Sequence, residues 1–432
     1  MALRDVGTSA LRVGVVVVVL VTVVVATAFA GLQIGGGPPE EGGPTPIDSC
    51  TTLSSPGAYE LARDLENRNA GACIRITASN VTFDGNGHRI DGVGAFGSGG
   101  VIVGSLDRGI ANVSVSNVTV TDWDDGLRYL NVSRGRVEGT TTANNRIGLS
   151  VLNSTATTVT NTTAAANELY GVSVTRNSKR TLLTNNTARA NTLFGFHLVG
   201  VGGTTVMSNR AAANEYGIAL IDADRNRIVR NNVSRNRIAG IWLSAADRNE
   251  VVDNYVSNRF YGIYLSDRST RNRLVANTAV SNAVGVRLVE SRRNLIERNA
   301  IRDNRAEAIL LLAADSNRLG PNRLTDNGRA VAIRNSENVT GPGAENTSAY
   351  SVSLLTPALA GNADSTREAG AGARTRTRAR ARTRTTNGAV QVEQARSMAS
   401  IRAASSSISF PRATAPLRRS QSTTPASSSF GR

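Results

Sequence analysis

The chain is short of several residue types, and each shortage narrows its chemistry. Of 49 basic side chains one is lysine, Lys179, and the rest are arginine. That bias is what a GC-rich coding sequence produces, and it implies no mechanism. There are two cysteines, two histidines and three methionines in 432 residues. No two of His88, His197, Met1, Met207 and Met398 stand at a ligand spacing, so no soft-donor metal site is expected. No stretch carries apolar residues at i, i+3, i+4 and i+7 over two turns, which excludes a helical solenoid. A basic folded surface is also missing. The formal charge is +16, but thirteen arginines against Glu368 and Glu393 place +11 of it from Arg367 onward, leaving +5 for residues 1–366. A nucleic-acid partner is therefore not expected.

What the chain has instead is a glycine that returns every 22 to 24 residues and opens a short apolar strand. The series is Gly126, Gly148, Gly171, Gly195, Gly217, Gly240, Gly262 and Gly285, continued by Ala308 and Ala330. A fixed period of this size marks stacked coils. In residues 217–239, Ile218 and Leu220 alternate with Ala219 as in a strand. Ile228 and Val233 lie in two further apolar stretches, and Asn226, Asn231 and Asn236 punctuate them. Asn249, Asn254 and Asn258 repeat the pattern, as do Asn272, Asn277 and Asn282. Asparagine tolerates turn conformations, and its amide can bond the amide of the coil above. Each coil reads as three short strands joined by Asn-marked bends, and stacked coils pair their strands in parallel roughly 4.8 Å apart. Ten anchor positions give a rod on the order of 45 Å long.

The pattern N-x-x-x-G-I-x-L with N-x-I-x-x-N resembles the right-handed parallel β-helix repeats of carbohydrate-binding proteins and sugar hydrolases, in particular the NosD branch. The resemblance covers roughly residues 74–335, and Val81 to Gly92 is similar to the opening coil of such domains in archaeal surface proteins. It implies an all-β, single-stranded right-handed parallel β-helix, a solenoid of about eleven coils with an N-terminal cap. It fixes the activity poorly, because this repeat hosts binders, lyases, hydrolases and structural proteins. The NosD likeness raises copper, but the same five histidines and methionines offer no ligand spacing, so a copper-related role is not expected.

Domain organisation follows composition. Residues 1–34 read as an export element: Arg4 and Arg12 precede an uncharged run from Val13 to Leu32 that includes Ala28-Phe29-Ala30, a cleavage pattern. The run is also long enough to span a bilayer, so a cleaved signal peptide and a retained membrane anchor both stand. Residues 35–48 are a Gly/Pro linker, 49–99 a cap and first coil, 100–340 the β-helix, and 341–432 a basic low-complexity tail. The tail's Arg374–Arg384 run, RTRTRARARTR, is what an Asp-Ala linker becomes when read one base late, so a frameshifted tail is a second reading. In an exported chain Cys50 and Cys73 are expected to form one disulfide that clips the cap. Sequons at Asn112, Asn117, Asn131 and Asn232, among others, suit a surface glycoprotein. They also arise by chance where Asn bends precede Val-Ser or Val-Thr strands.

Candidate chemistry sits on the outward positions. Within Gly-Ile-x-Leu the x column points out: His197, Trp242, Tyr264 and Arg287 fall in it and are candidate glycan-binding residues. An exposed aromatic pair is a platform for a sugar ring; the bland reading is a cross-strand pair. Tyr170, Phe194, Tyr216 and Tyr261 precede the glycine and are expected to stack inside a corner. Asp222, Asp247 and Asp267 form a carboxylate row that could supply a glycosidase pair or hold Ca²⁺. With an arginine following each, the row also reads as a solvated ion-pair ladder. Asp122-Trp123-Asp124-Asp125 breaks the Asn punctuation, so Asp122 and Asp124 are further catalytic candidates; the alternative is a variant first turn. Three functions remain: an exported glycan-binding or adhesive surface module, a polysaccharide lyase or glycoside hydrolase, and a structural envelope rod.

Overall fold

The computed structural model describes residues 43–344. The expected export element of residues 1–34, most of the linker and residues 345–432 of the tail lie outside the described residues. The described chain is a right-handed parallel β-helix: two sheets of 13 strands and one of 12 run the length of a rod, and every recorded strand pairing is parallel. That makes about twelve turns, roughly 60 Å of rod at the usual strand spacing. Each coil contributes a three-residue strand to a first sheet, another to a second, and a six-residue strand to a third. In one coil these are Arg227–Val229, Asn232–Ser234 and Ala239–Ser244. The turn count exceeds the expected eleven because Thr45–Ile47, Thr51–Leu53 and Leu65–Arg68, in the region read as linker and cap, already pair with the coil that follows.

The core is one continuous apolar column. Ile218, Leu220, Ile228 and Val233 are fully buried, and so are their counterparts one coil on, Ile241, Leu243, Val251 and Val256. β-Branched residues suit these short inward strands, because their stiff side chains pack well on a pleated surface.

The bends are built differently from the sequence expectation. The ladder asparagines do not take the left-handed conformation; the residue before nearly all of them does, as with Arg225 (φ 55°), Arg230 (52°), Arg235 (60°) and Arg248 (55°). The asparagine turns inward and is buried. Asn254 shows the pattern. Its Oδ1 accepts both the backbone N–H and the side-chain N–H of Asn231, at 3.0 and 2.9 Å. Its Nδ2 donates to Asn277 Oδ1 at 2.9 Å and to the Ile228 carbonyl at 2.8 Å. Three such ladders climb the rod, running from Asn145 to Asn327, from Asn186 to Asn322, and from Asn226 to Asn317. The repeating glycine is explained here too. A Cβ on Gly217 would sit 2.7 Å from the Gly240 carbonyl oxygen and 2.9 Å from the Asn236 amide, so the glycine is selected by close approach rather than by its dihedrals.

The third ladder stops short. Below Asn226 its positions are held by Thr204, Thr181 and Thr157, whose buried hydroxyls have no hydrogen-bond partner. We predict that Thr204→Asn, which extends the ladder by one rung, raises stability by about 1 kcal/mol. Asn254→Ala strands two donors of Asn231 and should cost about 3 kcal/mol or more. Denaturant melts of the two variants check both signs; a neutral Asn254→Ala would show that the ladder is not a source of stability.

Candidate functional site

The register sets His197, Ala219, Trp242, Tyr264 and Arg287 side by side on successive long strands. Their exposure departs from expectation. Trp242 is 2% exposed and His197 7%, whereas Tyr264 and Arg287 are half-buried. The expected exposed pair is thus a largely covered row. One cause is the second aromatic column: Tyr170, Phe194, Tyr216 and Tyr261 do not form a separate corner stack but interleave with the first column. The His197 ring lies 4.3 Å from Tyr170 and 4.8 Å from Phe194, both stacked. Phe194 reaches Trp242 at 6.4 Å across the coil where the column holds only Ala219. Trp242 stacks on Tyr216 at 4.8 Å and on Tyr264 at 6.5 Å, and Tyr261 meets Tyr264 at 5.2 Å. Arg287 closes the row, its guanidinium 4.8 Å from the Tyr261 ring centre and 5.4 Å from that of Tyr264. It donates through Nη1 to the Tyr261 hydroxyl. The result is one aromatic band over five consecutive long strands, closed by Arg287 on the sixth.

The carboxylate row splits into two columns. Asp222 and Asp267 occupy the left-handed position just after the long strand (φ 48° and 53°), with Ala245 between them. They are two coils apart, roughly 10 Å at the backbone. Asp247 belongs to another column: its N–H donates to Asp224 Oδ1 at 2.7 Å, and its own Oδ1 accepts the Thr270 N–H at 2.7 Å. Asp224 and Asp247 therefore lock the turn, and the geometry gathers no close carboxylate pair from Asp222, Asp247 and Asp267. Asp267 is tied to the aromatic band. Trp242 Nε1 donates to Ser266 Oγ at 3.0 Å, and the hydroxyls of Ser266 and Ser244 both donate to Asp267 Oδ2, at 2.7 and 2.6 Å.

Asp122 to Asp125 does break the ladder, and the break has a structural logic. Trp123 stands in the ladder place: its backbone N–H donates to Asn145 Oδ1 at 3.0 Å, and its buried indole donates to the Ile90 carbonyl at 3.2 Å. Asp124 is buried and receives Arg146 through two guanidinium nitrogens, with the Gly97 N–H at 3.0 Å. The hydrogen bond to Asp124 is the chief cause that raises the Arg146 pKa. Asp125 pairs with Arg128. Asp122 is the accessible member. Burial, the charge of Asp91 and a hydrogen bond to the Asp91 carboxyl raise its pKa, and Asp91 also accepts the Thr121 hydroxyl. Beside this lies an open groove of about 470 Å³ lined by Phe96, Asp124, Arg146 and Glu168. Phe96 is 87% exposed, with the Arg146 guanidinium 5.8 Å from its ring centre. Asp91, Phe96, Arg146 and Glu168 were not singled out by the sequence. The available signal was that Arg146 and Glu168 each follow a ladder asparagine, at Asn145 and Asn167.

Cys50 and Cys73 form the disulfide. Asn112 and Asn117 are exposed and left-handed, Asn131 is half-buried and left-handed, and Asn232 is exposed within a strand. All four amides sit outside the buried ladders. His88 pairs with Asp64 at 3.0 Å in the early coils. The Asp64 carboxyl is held below the usual range by the Arg89 backbone N–H and then by His88.

Residues 74–260 and 239–350 match the family described as periplasmic copper-binding protein (NosD), and the chain belongs to that family. No curated protein matches the chain in sequence. Among solved structures it is similar to a variant of the periplasmic alginate epimerase AlgG, at 16% identity and a TM-score of 0.52, over 63% of this chain and 78% of that one. It is also similar to the A-module of the Azotobacter vinelandii mannuronan C-5 epimerase AlgE4, at 16% identity and a TM-score of 0.52, over 67% and 91%. At such identities the likeness shows the fold. The family description implies copper, and the donors do not fit it. Among the described residues no three His, Cys, Asp or Glu side chains converge, both cysteines are oxidised, and His197 is stacked four coils away from His88.

Burial inside the aromatic band pushes the His197 pKa down to about 3 from 6.5. The folded protein then leaves His197 neutral between those values while the unfolded chain binds a proton. Stability is thus full above pH 6.5 and is lost as pH falls toward 3. This group alone should make the protein about 2 kcal/mol less stable at pH 5 than at pH 7. His197→Phe should flatten that part of the stability profile in melts from pH 7 to pH 4; an unchanged slope would show that His197 protonates in the folded state.

Proposed function

We propose that this NosD-family chain is an exported polysaccharide-binding rod whose long-strand face receives the sugar chain. The aromatic band carries the reading. It runs along the rod axis over five coils, with Arg287 on a sixth, and it is accessible where Tyr264 and Arg287 are half-buried. Aromatic faces offer sugar rings an apolar platform, and flanking hydroxyl, carboxyl and guanidinium groups supply the hydrogen bonds. His197 and Trp242 act from beneath, holding the platform flat. The same fold is used by proteins named as acting on alginate and mannuronan, which supports a glycan partner at the level of fold. The disulfide suits an oxidising compartment, the exposure of Asn112, Asn117 and Asn232 is compatible with surface glycosylation, and the composition of residues 1–34 suits an export element or a membrane anchor.

A second reading, cleavage of the polysaccharide, rests on the Asp91–Asp122 pair beside the Phe96 groove. A carboxyl whose pKa is raised by burial and by a neighbouring carboxyl is a candidate proton donor. A purely structural rod would need only the ladders.

Size-exclusion chromatography with light scattering on a panel of polysaccharides separates the three. Co-elution with intact polymer is expected, weakened by about ten-fold in Tyr264→Ala. Shortened polymer, abolished in Asp122→Asn, would replace binding with catalysis. No association with any polymer would leave the structural rod.

A further inference from the structure

The open end of the aromatic band has a charge character that the rest lacks. Arg287 lies over Tyr261 and Tyr264 and spends Nη1 on the Tyr261 hydroxyl, while its buried Nε has no hydrogen-bond partner. Two further arginines border the same end. Arg259 and Arg305 follow the ladder residues Asn258 and Asn304, so both lie on the corner beside the long-strand face. They are exposed and held to each other, with Arg305 Nη2 donating to the Arg259 carbonyl at 2.6 Å. The Arg259 guanidinium sits 5.2 Å from the Phe260 ring centre. None of the three has a carboxylate within ion-pair distance among the described residues; the nearby Glu307 is taken by Arg334 at 3.3 Å.

Earlier on the same corner the arginines are paired: Asp124 neutralises Arg146, and Glu215 neutralises Arg237 at 2.8 Å, one coil before Arg259. The corner therefore passes from compensated charge to uncompensated positive charge at Arg259. The buried Arg287 Nε is an unsatisfied donor, and the exposed Arg259 and Arg305 add positive charge along the same corner, which an anionic ligand would engage. Guanidinium matches the flat, two-oxygen shape of a carboxylate, and Tyr264 supplies the ring face.

We infer that the Tyr264 end of the band is a subsite for a carboxylated sugar, so that the polymer bound is a polyuronate-type acidic polysaccharide. This rests on the polysaccharide reading above and names its substrate class. A polymer with one carboxylate per sugar suits the stack, because a sugar is about as long as the coil step of roughly 4.8 Å.

The test uses the full chain and two forms of one backbone, polygalacturonate and its fully methyl-esterified counterpart, which keeps the rings and loses the charge. Binding to polygalacturonate about ten-fold tighter than to the ester is expected, with the difference shrinking as salt rises. Arg259→Gln combined with Arg305→Gln should remove most of that preference and leave binding of the ester unchanged. Both side chains are exposed, so thermal melts should not move. Equal binding of the two forms would overturn the inference and keep the polysaccharide reading. Unaltered preference in the double variant would overturn it as well, since the charge would then be read by the arginine-rich residues 374–384. Binding of single-stranded DNA as tight as that of polygalacturonate would overturn it in favour of unspecific polyanion adhesion. Failure of both forms to bind would remove the polysaccharide reading together with the inference.

Discussion

A buried primary amide is costly unless all its donors and its acceptor are used, and in this rod each coil depends on the next to use them. Asn254 illustrates the constraint: its oxygen serves two N–H groups of Asn231, and its nitrogen serves one group above and one below. Shifting one coil by a single residue would break all four bonds and expose the alternate face of every strand. The ladders therefore do more than fill corners. They fix register along the entire stack, with the apolar column inside providing the driving force and the amides choosing among alignments that bury similar area.

Fixed register has a consequence for the outside. Once coils align, side chains 22 to 24 residues apart become neighbours. Whatever chemistry occupies one outward position is multiplied into a column. The aromatic band arises this way, from isolated residues on five strands that no local window of sequence would connect. Turn columns behave likewise: Asp224 and Asp247 repeat one solution to capping a bend, and Arg225 and Arg248 repeat one left-handed residue before an asparagine.

How much of this was legible in the sequence follows from which interactions are periodic. The glycine period and the Asn punctuation stated the coil, its three strands and their parallel stacking, because every coil repeats the same backbone requirement. The outward x column was legible for the same reason, and the disulfide followed from two cysteines in a chain expected to be exported. Burial of Trp242 and His197 was not legible, because it depends on how rings from two columns interleave through the gap left at Ala219. Nor was the division of the carboxylates. Asp222 and Asp224 are two residues apart and look like one acidic patch, yet one sits at the left-handed bend and the other bonds the next turn. The left-handed role was assigned to asparagine on intrinsic preference; the fold gives it to the preceding residue, because the asparagine amide is worth more inside.

The places where the repeat fails then gain meaning from what still satisfies the ladder there. At Trp123 the backbone N–H keeps the bond to Asn145 although the side chain is no longer an amide. The stack is preserved, and the space is given to an indole, a buried Asp124–Arg146 pair and an open groove. At the threonines below Asn226 the Thr204 backbone N–H still donates to Asn226 Oδ1, but the threonine hydroxyls go unsatisfied. The first departure adds accessible chemistry and costs no backbone bond; the second adds none and leaves polar groups unpaired. A repeat fold can host function only through departures of the first kind or through columns on its outer face. On this rod those criteria select two places, the groove beside Trp123 and the half-open end of the aromatic band. Polar groups left without partners on the outer face, as at Arg287, are accordingly more informative than any carboxylate already bonded within a turn.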